Sequence, residues 1–329
     1  VKIVRLPGTD LETSALGMGC ASLGSRISAN DGLRFLNEAY SNGVRWFDVA
    51  PAYGAGQAEQ ILSEFLTGRR HEMRICSKVG LLPPRGNSVF RNIYEIARPI
   101  AQKAGGLRRF YRSLSATRNV KVPLSPAIIV SSLENSLRRL RTDYIDVFAL
   151  HDPSAVDVAR EEILRCLEDC ISKGFVRYVS VAGDEEAVAV AARVGLPFSV
   201  FQFANPLGSS LPEKLTQIKG TEPAMVTHSV LGLGAERDRL LALSRTNPDL
   251  ERSIRDAGYT GHLNEVVSNF LIGRAFVRNP NGVVLLSMFS PGRAANAAKL
   301  TRISLSAGSR AIYEKLEMLA SRKDSNNDS

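Results

Sequence analysis

The sequence predicts an α/β chain closed into a (β/α)8 TIM barrel, and three observations lead there. From Val44 onward, short apolar runs alternate with amphipathic helical stretches, the pattern of a parallel sheet. The runs "VRYVSVA" and "GVVLLS" do not alternate cleanly, as befits strands buried on both faces. With a first strand at 15–18 there are eight β-then-α units, the number that closes a barrel.

The first strand is followed by a helix at 30–41. The second unit is a strand at 45–48 and a helix at 58–66. The third strand, 74–77, meets its helix only at 126–140, which opens on Ser125-Pro126, a good N-cap and first-turn pair. The fourth unit is a strand at 144–150 with a helix at 156–172, ended by Lys173-Gly174. The fifth and sixth strands, 176–181 and 198–202, carry helices at 184–194 and 211–218. The seventh strand, 224–227, is separated from its helix at 261–276. The eighth unit is 282–286 with 291–300.

Residues 1–320 thus read as one barrel domain with an insertion at about 81–123, and the polar 321–329 as a disordered tail. The segments 81–123 and 231–261 read as long loops on the strand-exit side, where a barrel builds its active site.

Composition narrows the function classes. The chain has 329 residues, 44% hydrophobic and 23% charged, ordinary for a globular protein. It lacks an apolar run long enough to span a bilayer and starts without a signal-peptide centre, so no membrane association and a cytoplasmic location are expected. Four cysteines are too few for a disulfide framework, and no histidine flanks Cys166 and Cys170, so packing is favoured there over a metal site. The net charge of +9 permits an anionic ligand. The stretch "RRFYRSLSATRNVK" interleaves basic and aromatic residues, as a single-strand binder would, yet reads better as a solvated insertion. No nucleic-acid partner is expected.

The barrel supplies a selection rule: polar residues at strand ends converge on one mouth. Asp48 ends the second strand and Tyr53 follows five residues later. Lys78 ends the third and His151 the fourth. Each alone has a bland reading as a cap, a solvated charge or a structural imidazole; together they suggest proton transfer. A phenol titrates near pH ~10 in water, and a nearby ammonium would lower that value. Lys78 is that ammonium, with Asp48 to orient it. His151 could bind a substrate oxygen.

The stretches "WFDVAPAYGAGQAEQIL", "SKVG" and "DYIDVFALHDP" resemble the aldo-keto reductase superfamily, over about Gly17 to Leu300. "SKVGLLPP" and "LHDP" look most like its bacterial sugar and aldose dehydrogenase branch. "YGAG" is no dinucleotide fingerprint, because Glu59 stands at the third glycine. The resemblance implies an NAD(P)-dependent oxidoreductase acting on an aldehyde, ketone or sugar. Asp48, Tyr53, Lys78 and His151 would be its catalytic residues, with Tyr53 the proton donor and acceptor.

The family's cofactor shell is altered in this chain. Ala182 and Gly183 stand where a Ser-Asn pair holds the nicotinamide carboxamide. The usual Gln would align with Phe201, counted from Asn205, while Gln202 lies one residue on. A one-residue slip turns a side chain to the other face of a strand, and the sequence leaves this open. "HSVLGLG" replaces "YSPLG", offering His228 as the flat ring, then Ser229, Leu231 and Gly232. Arg293 stands where members that bind a 2′-phosphate carry Arg, which favours NADP, with NAD possible. The usual Glu-Asn pair is absent, since Asn296 and Ala297 occupy its place. The rival reading is therefore a non-catalytic barrel that binds a ligand or a protein. The oligomeric state is open, with a monomer favoured.

Overall fold

The computed structural model describes residues 1–83, 119–232 and 236–302, with positions 312 and 314. Eight strands form a closed barrel: β3 (Leu16–Gly19), β4 (Trp46–Asp48), β5 (Arg74–Val79), β8 (Ile145–His151), β9 (Val176–Ala182), β10 (Phe198–Ala204), β11 (Ala224–His228) and β12 (Val283–Leu286). All neighbouring pairs are parallel, and β12 pairs back to β3 through Val284 and Leu16. Two antiparallel pairs lie outside it: β1 (Ile3–Arg5) with β2 (Glu12–Ser14), and β6 (Leu81–Leu82) with β7 (Val120–Lys121).

The helices are α1 (Ala29–Ser41), α2 (Ala58–Leu66), α3 (Pro126–Leu140), α4 (Glu161–Ser172), α5 (Glu185–Val194), α6 (Leu211–Lys219), α7 (Glu236–Thr246), α8 (Pro248–Asp256), α9 (Leu263–Arg278) and α10 (Arg293–Leu300). Their starts follow from local chemistry. The Ser28 hydroxyl accepts from the Asp31 N–H at 3.1 Å, and Asp184 accepts from the Ala187 N–H at 2.9 Å. Ser125 and Asn247 cap α3 and α8 in the same way, each followed by proline.

Two expectations are corrected. The stretch 231–261 is not one long loop, because α7 and α8 lie within it. Both are polar, burying little beyond Leu240, Leu241 and Ile254, so few apolar residues announce them in the sequence. The helix expected at 156–172 is a short 3₁₀ turn (Asp157–Ala159) and then α4, with Arg160 extended between them. Most of the insertion expected at 81–123, the basic stretch up to residue 118, positions 233–235 and the tail lie outside the described residues.

Strand alternation sorts the core into two shells. Outward residues such as Phe47, Ile75, Phe148, Val179 and Phe201 pack under the helices. Inward residues, including Trp46, Cys76, Val147, Val200 and Val226, fill the lumen together with Val4, Leu6 and Leu11 from the β1–β2 hairpin. The hairpin lies across the strand-entry end. Asp10 binds Arg177 at 2.9 Å and accepts from the Tyr178 hydroxyl at 2.8 Å. Behind it, fully buried Asp146 pairs with Arg70 at 2.8 Å and Arg177 at 3.3 Å, and accepts the Ile75 N–H at 3.0 Å.

β10 breaks the alternation once. Phe198 pairs with Val179 and Val200 with Ser180, so Ser199 is an extra residue against β9. Such a bulge reverses which residues face inward. Phe198 accordingly packs outward, while Val200 and Gln202 face the lumen.

Candidate active site

The inward parity that puts Trp46 in the lumen carries Asp48 to the exit end of β4. The same rule brings Lys78, His151, Gln202 and His228 to the exits of β5, β8, β10 and β11. Tyr53 comes from the turn Tyr53–Gly56, whose first N–H bonds the Ala50 carbonyl at 3.0 Å. Two glycines allow this assembly. Gly54 has φ +59, and a β-carbon there would sit 2.1 Å from the Leu23 carbonyl oxygen. Gly80, at φ +126, packs against the His151 backbone, where a β-carbon would lie 2.6 Å from its oxygen.

Buried Glu59 joins the elements behind. It accepts from the Ser77 hydroxyl at 2.7 Å and from Arg139 at 2.6 Å, fastening α2 to β5 and α3. The spacing between the Tyr53 turn and Lys78 is thus fixed from outside the barrel.

At the centre, Lys78 donates to Asp48 Oδ1 at 2.5 Å and to the Val49 carbonyl at 3.1 Å. Lys78 is 1% exposed and Asp48 3%, so this is an ion pair out of water. Such a pair adds little net stability, because desolvation offsets its attraction; it points to chemistry instead. Lys78 Nζ lies 5.2 Å from the Tyr53 ring centre. The Tyr53 and His151 rings meet edge to face at 5.9 Å.

Burial disfavours the Lys78 charge, but Asp48, Tyr53 and Cys76 more than offset this and hold the ammonium well above the ordinary lysine range. Burial pushes the Tyr53 phenol up to about 12, with Lys78 pulling the other way and Asp48 reinforcing the rise. This corrects the expectation of a lowered phenol: in the described site desolvation outweighs the ammonium. His151 is pushed down to about 3 by burial, then by Lys78 and His228, so it is a neutral imidazole at ordinary pH. His228 is also lowered, chiefly by burial.

A cavity of about 520 Å³ opens over these groups. It gathers Asp48, Tyr53, Lys78, His151, Gln202 and His228, with Ser229, whose hydroxyl lies 2.9 Å from His228 Nδ1. Leu231, Gly232 and Arg293 do not line it. Arg293 is an exposed first residue of α10, and the neighbouring Gly292 N–H donates to Glu38 at 2.9 Å. Sequence reasoning missed Gly19, Ser22 and Arg26, which line the cavity from the end of β3 and the loop after it. The strand-exit rule applied to the first strand would have found them.

The mouth suits a flat ring. Gly19, Ala182 and Gly183 line it almost without side chains, and His151 Nδ1 is buried with no partner. Among the described residues, no cluster of three or more His, Cys, Asp or Glu could hold a metal, and no helix is long and apolar enough to cross a membrane.

The model of the aldo/keto reductase family matches residues 15–234. The chain belongs to the aldo-keto reductase family. Among its relatives is an uncharacterized oxidoreductase, YqkF, of Bacillus subtilis, 28% identical over 178 residues, 54% of this chain and 47% of that protein. The aldo-keto reductase YhdN of the same organism is 26% identical over 215 residues, 61% of this chain and 55% of that protein. The chain thus spans about half the length of the curated relatives it matches. Among solved structures, the holo form of the aldo-keto reductase AKR11C1 from Bacillus halodurans superposes with a TM-score of 0.67 at 22% identity, covering 96% of both chains. An aldo-keto reductase from Klebsiella pneumoniae in complex with NADPH gives 0.67 at 19% identity, covering 96% of this chain and 95% of that one. These likenesses establish the shared barrel.

Proposed function

We propose that the chain is an NAD(P)-dependent oxidoreductase that interconverts a carbonyl and an alcohol at the β4–β5–β8 mouth, with Tyr53 as the proton donor and acceptor. The observation that carries this is the buried Lys78–Asp48 pair beside Tyr53 and His151. A bound nicotinamide would supply or accept the hydride, which no side chain can do.

The chain's own residues supply the rest. In reduction, neutral His151 donates an N–H to the substrate oxygen and fixes its angle, while the Tyr53 hydroxyl gives up its proton to that oxygen. The Lys78 ammonium stabilises the phenolate left behind, and Asp48 keeps the ammonium charged. In oxidation the phenolate takes the alcohol proton. Gly19, Ala182, Gly183 and the His228 ring would border the nicotinamide, and Gln202 stands within the same mouth.

NADP is the favoured cofactor. The NADPH complex of the Klebsiella pneumoniae structure supports it, and Arg293 would contact the 2′-phosphate beyond the cavity, with the backbone at Leu231 and Gly232 toward the pyrophosphate. The substrate is a small aldehyde, ketone or sugar, in keeping with the sugar and aldose dehydrogenase branch. Exposed Arg26 at the rim favours a polar or anionic group on it. A cytoplasmic monomer is the expected state.

Titration with NADPH followed by fluorescence, then turnover against a panel of aldehydes, tests this. Saturable binding with turnover is expected. No binding at millimolar NADPH sinks the reading in favour of a non-catalytic barrel.

A further inference from the structure

Gln202 makes two side-chain contacts, and both point down into the lumen. Its Nε2 donates to Asp48 Oδ2 at 3.1 Å, and its Oε1 accepts from Cys76 Sγ at 3.8 Å. The two contacts fix the amide orientation, because only the NH2 end can donate to a carboxylate. Asp48 has two oxygens to satisfy at the buried floor of the cavity. Lys78 takes Oδ1 and Gln202 takes Oδ2. Gln202 is 4% exposed, and it reaches this position only because the bulge at Ser199 reverses the parity of β10. Without the bulge Phe201 would face Asp48 and the second oxygen would lack its amide donor.

We infer that Gln202 is a positioning residue for the proton-transfer group: it holds the Asp48 carboxylate so that Lys78 stays directed at Tyr53. This rests on the oxidoreductase reading above. It departs from the place that the resemblance gives a glutamine on this strand, which is in the shell around the nicotinamide. Here the amide is committed to Asp48, although Ala182 and Gly183 offer no side-chain donor in the place of the Ser-Asn pair.

The physical consequence follows from the charges around Tyr53. Those acting on it are Lys78, Asp48 and the Cys76 thiol; the His151 and His228 imidazoles and, farther out, Arg26 and Asp152 line the same mouth. If Gln202 is lost, Oδ2 loses its amide donor and keeps at most the weak Cys76 thiol. The carboxylate then turns both oxygens toward Lys78, drawing the ammonium off the phenol and presenting more negative charge to it. Both changes disfavour phenolate.

The test uses Gln202→Met, which keeps the length and removes the amide. In alcohol oxidation the rate rises with pH as Tyr53 loses its proton. The variant should move that limb up by about one pH unit, so that at a fixed pH below the limb the rate falls about tenfold. The Kd for NADPH, read by fluorescence, should stay within about twofold. A tenfold weaker Kd with the limb in place would overturn the proposal and return Gln202 to the carboxamide. An unmoved limb with unchanged binding would overturn it too.

If Gln202→Met does not fold, Gln202→Glu keeps the shape and adds charge beside Asp48. It should move the limb further in the same direction, and a stationary limb refutes the proposal. If the wild-type protein neither binds nor turns over NADPH, the oxidoreductase reading fails separately. A crystal structure of the variant then decides the positioning role: Lys78 displaced from Tyr53 supports it, and an unchanged Asp48–Lys78 pair overturns it.

Discussion

Asp48 and Asp146 are both buried carboxylates on neighbouring parts of one barrel, yet they sit in opposite worlds. At the entry end, Asp146 binds two arginines and a backbone N–H, and those arginines run outward to Thr142, Tyr144 and Asp10. At the exit end, Asp48 binds Lys78 and Gln202, both sealed inside, beside the unpartnered His151 Nδ1. One end settles its charge into a network that reaches solvent. The other keeps charge and unmet hydrogen-bonding capacity concentrated around a cavity. For these two carboxylates the difference separates structural polarity from chemical polarity: partners that lead out to solvent mark the first, and a deficit facing open space marks the second.

The sharpest way to break this contrast is at Tyr53. Tyr53→Phe should lower kcat about a thousandfold, the range for loss of a positioned general acid, with NADPH binding within about twofold and the urea midpoint nearly unchanged. Near-normal turnover would remove Tyr53 from the chemistry. The complementary change is Asp146→Ala. It leaves Arg70 and Arg177 without their shared carboxylate and should cost about 3–5 kcal/mol in urea unfolding, with kcat per folded molecule preserved. Loss of kcat in the folded protein would mean that the two ends are not separable.

The smallest effect is a pH dependence of stability. His151 and His228 both have folded values below the ordinary histidine range, so the unfolded chain binds protons more readily there. Stability is then full above about pH 6.5 and falls as pH drops below it. For His151 alone, going from pH 6.5 to 5 should cost up to about 2 kcal/mol. His151→Phe should flatten that slope in denaturation series across the window, and an equal slope in both proteins would refute the assignment.

Most of the barrel is legible in the sequence because doubly buried strands are rich in apolar residues and the helices between them carry caps such as Ser125 and Asp184. The β1–β2 hairpin is not, since each strand is three residues long and gives no period to count. Helices α7 and α8 escape notice because they bury so few apolar side chains. In the site, Asp48, Lys78 and His151 are readable as polar residues ending apolar runs. Gln202 against Phe201 is not, because Ser199 has nothing in its chemistry that announces an extra residue; the bulge exists only in the pairing with β9. The rise of the Tyr53 phenol likewise depends on how deeply the ring is enclosed, which spacing along the chain does not encode.

The hairpin stopper has a consequence for traffic. Among the described residues, Val4, Leu6 and Leu11 close the entry end of a lumen already filled by Trp46, Cys76 and Val147, and the cavity over Asp48 and Tyr53 opens at the strand exits. Two molecules sharing such a vessel would queue, the one seated deeper entering first and leaving last. On the function proposed above, an order of release would be imposed from the far end of the barrel, by a packed lumen whose side chains never meet a reactant.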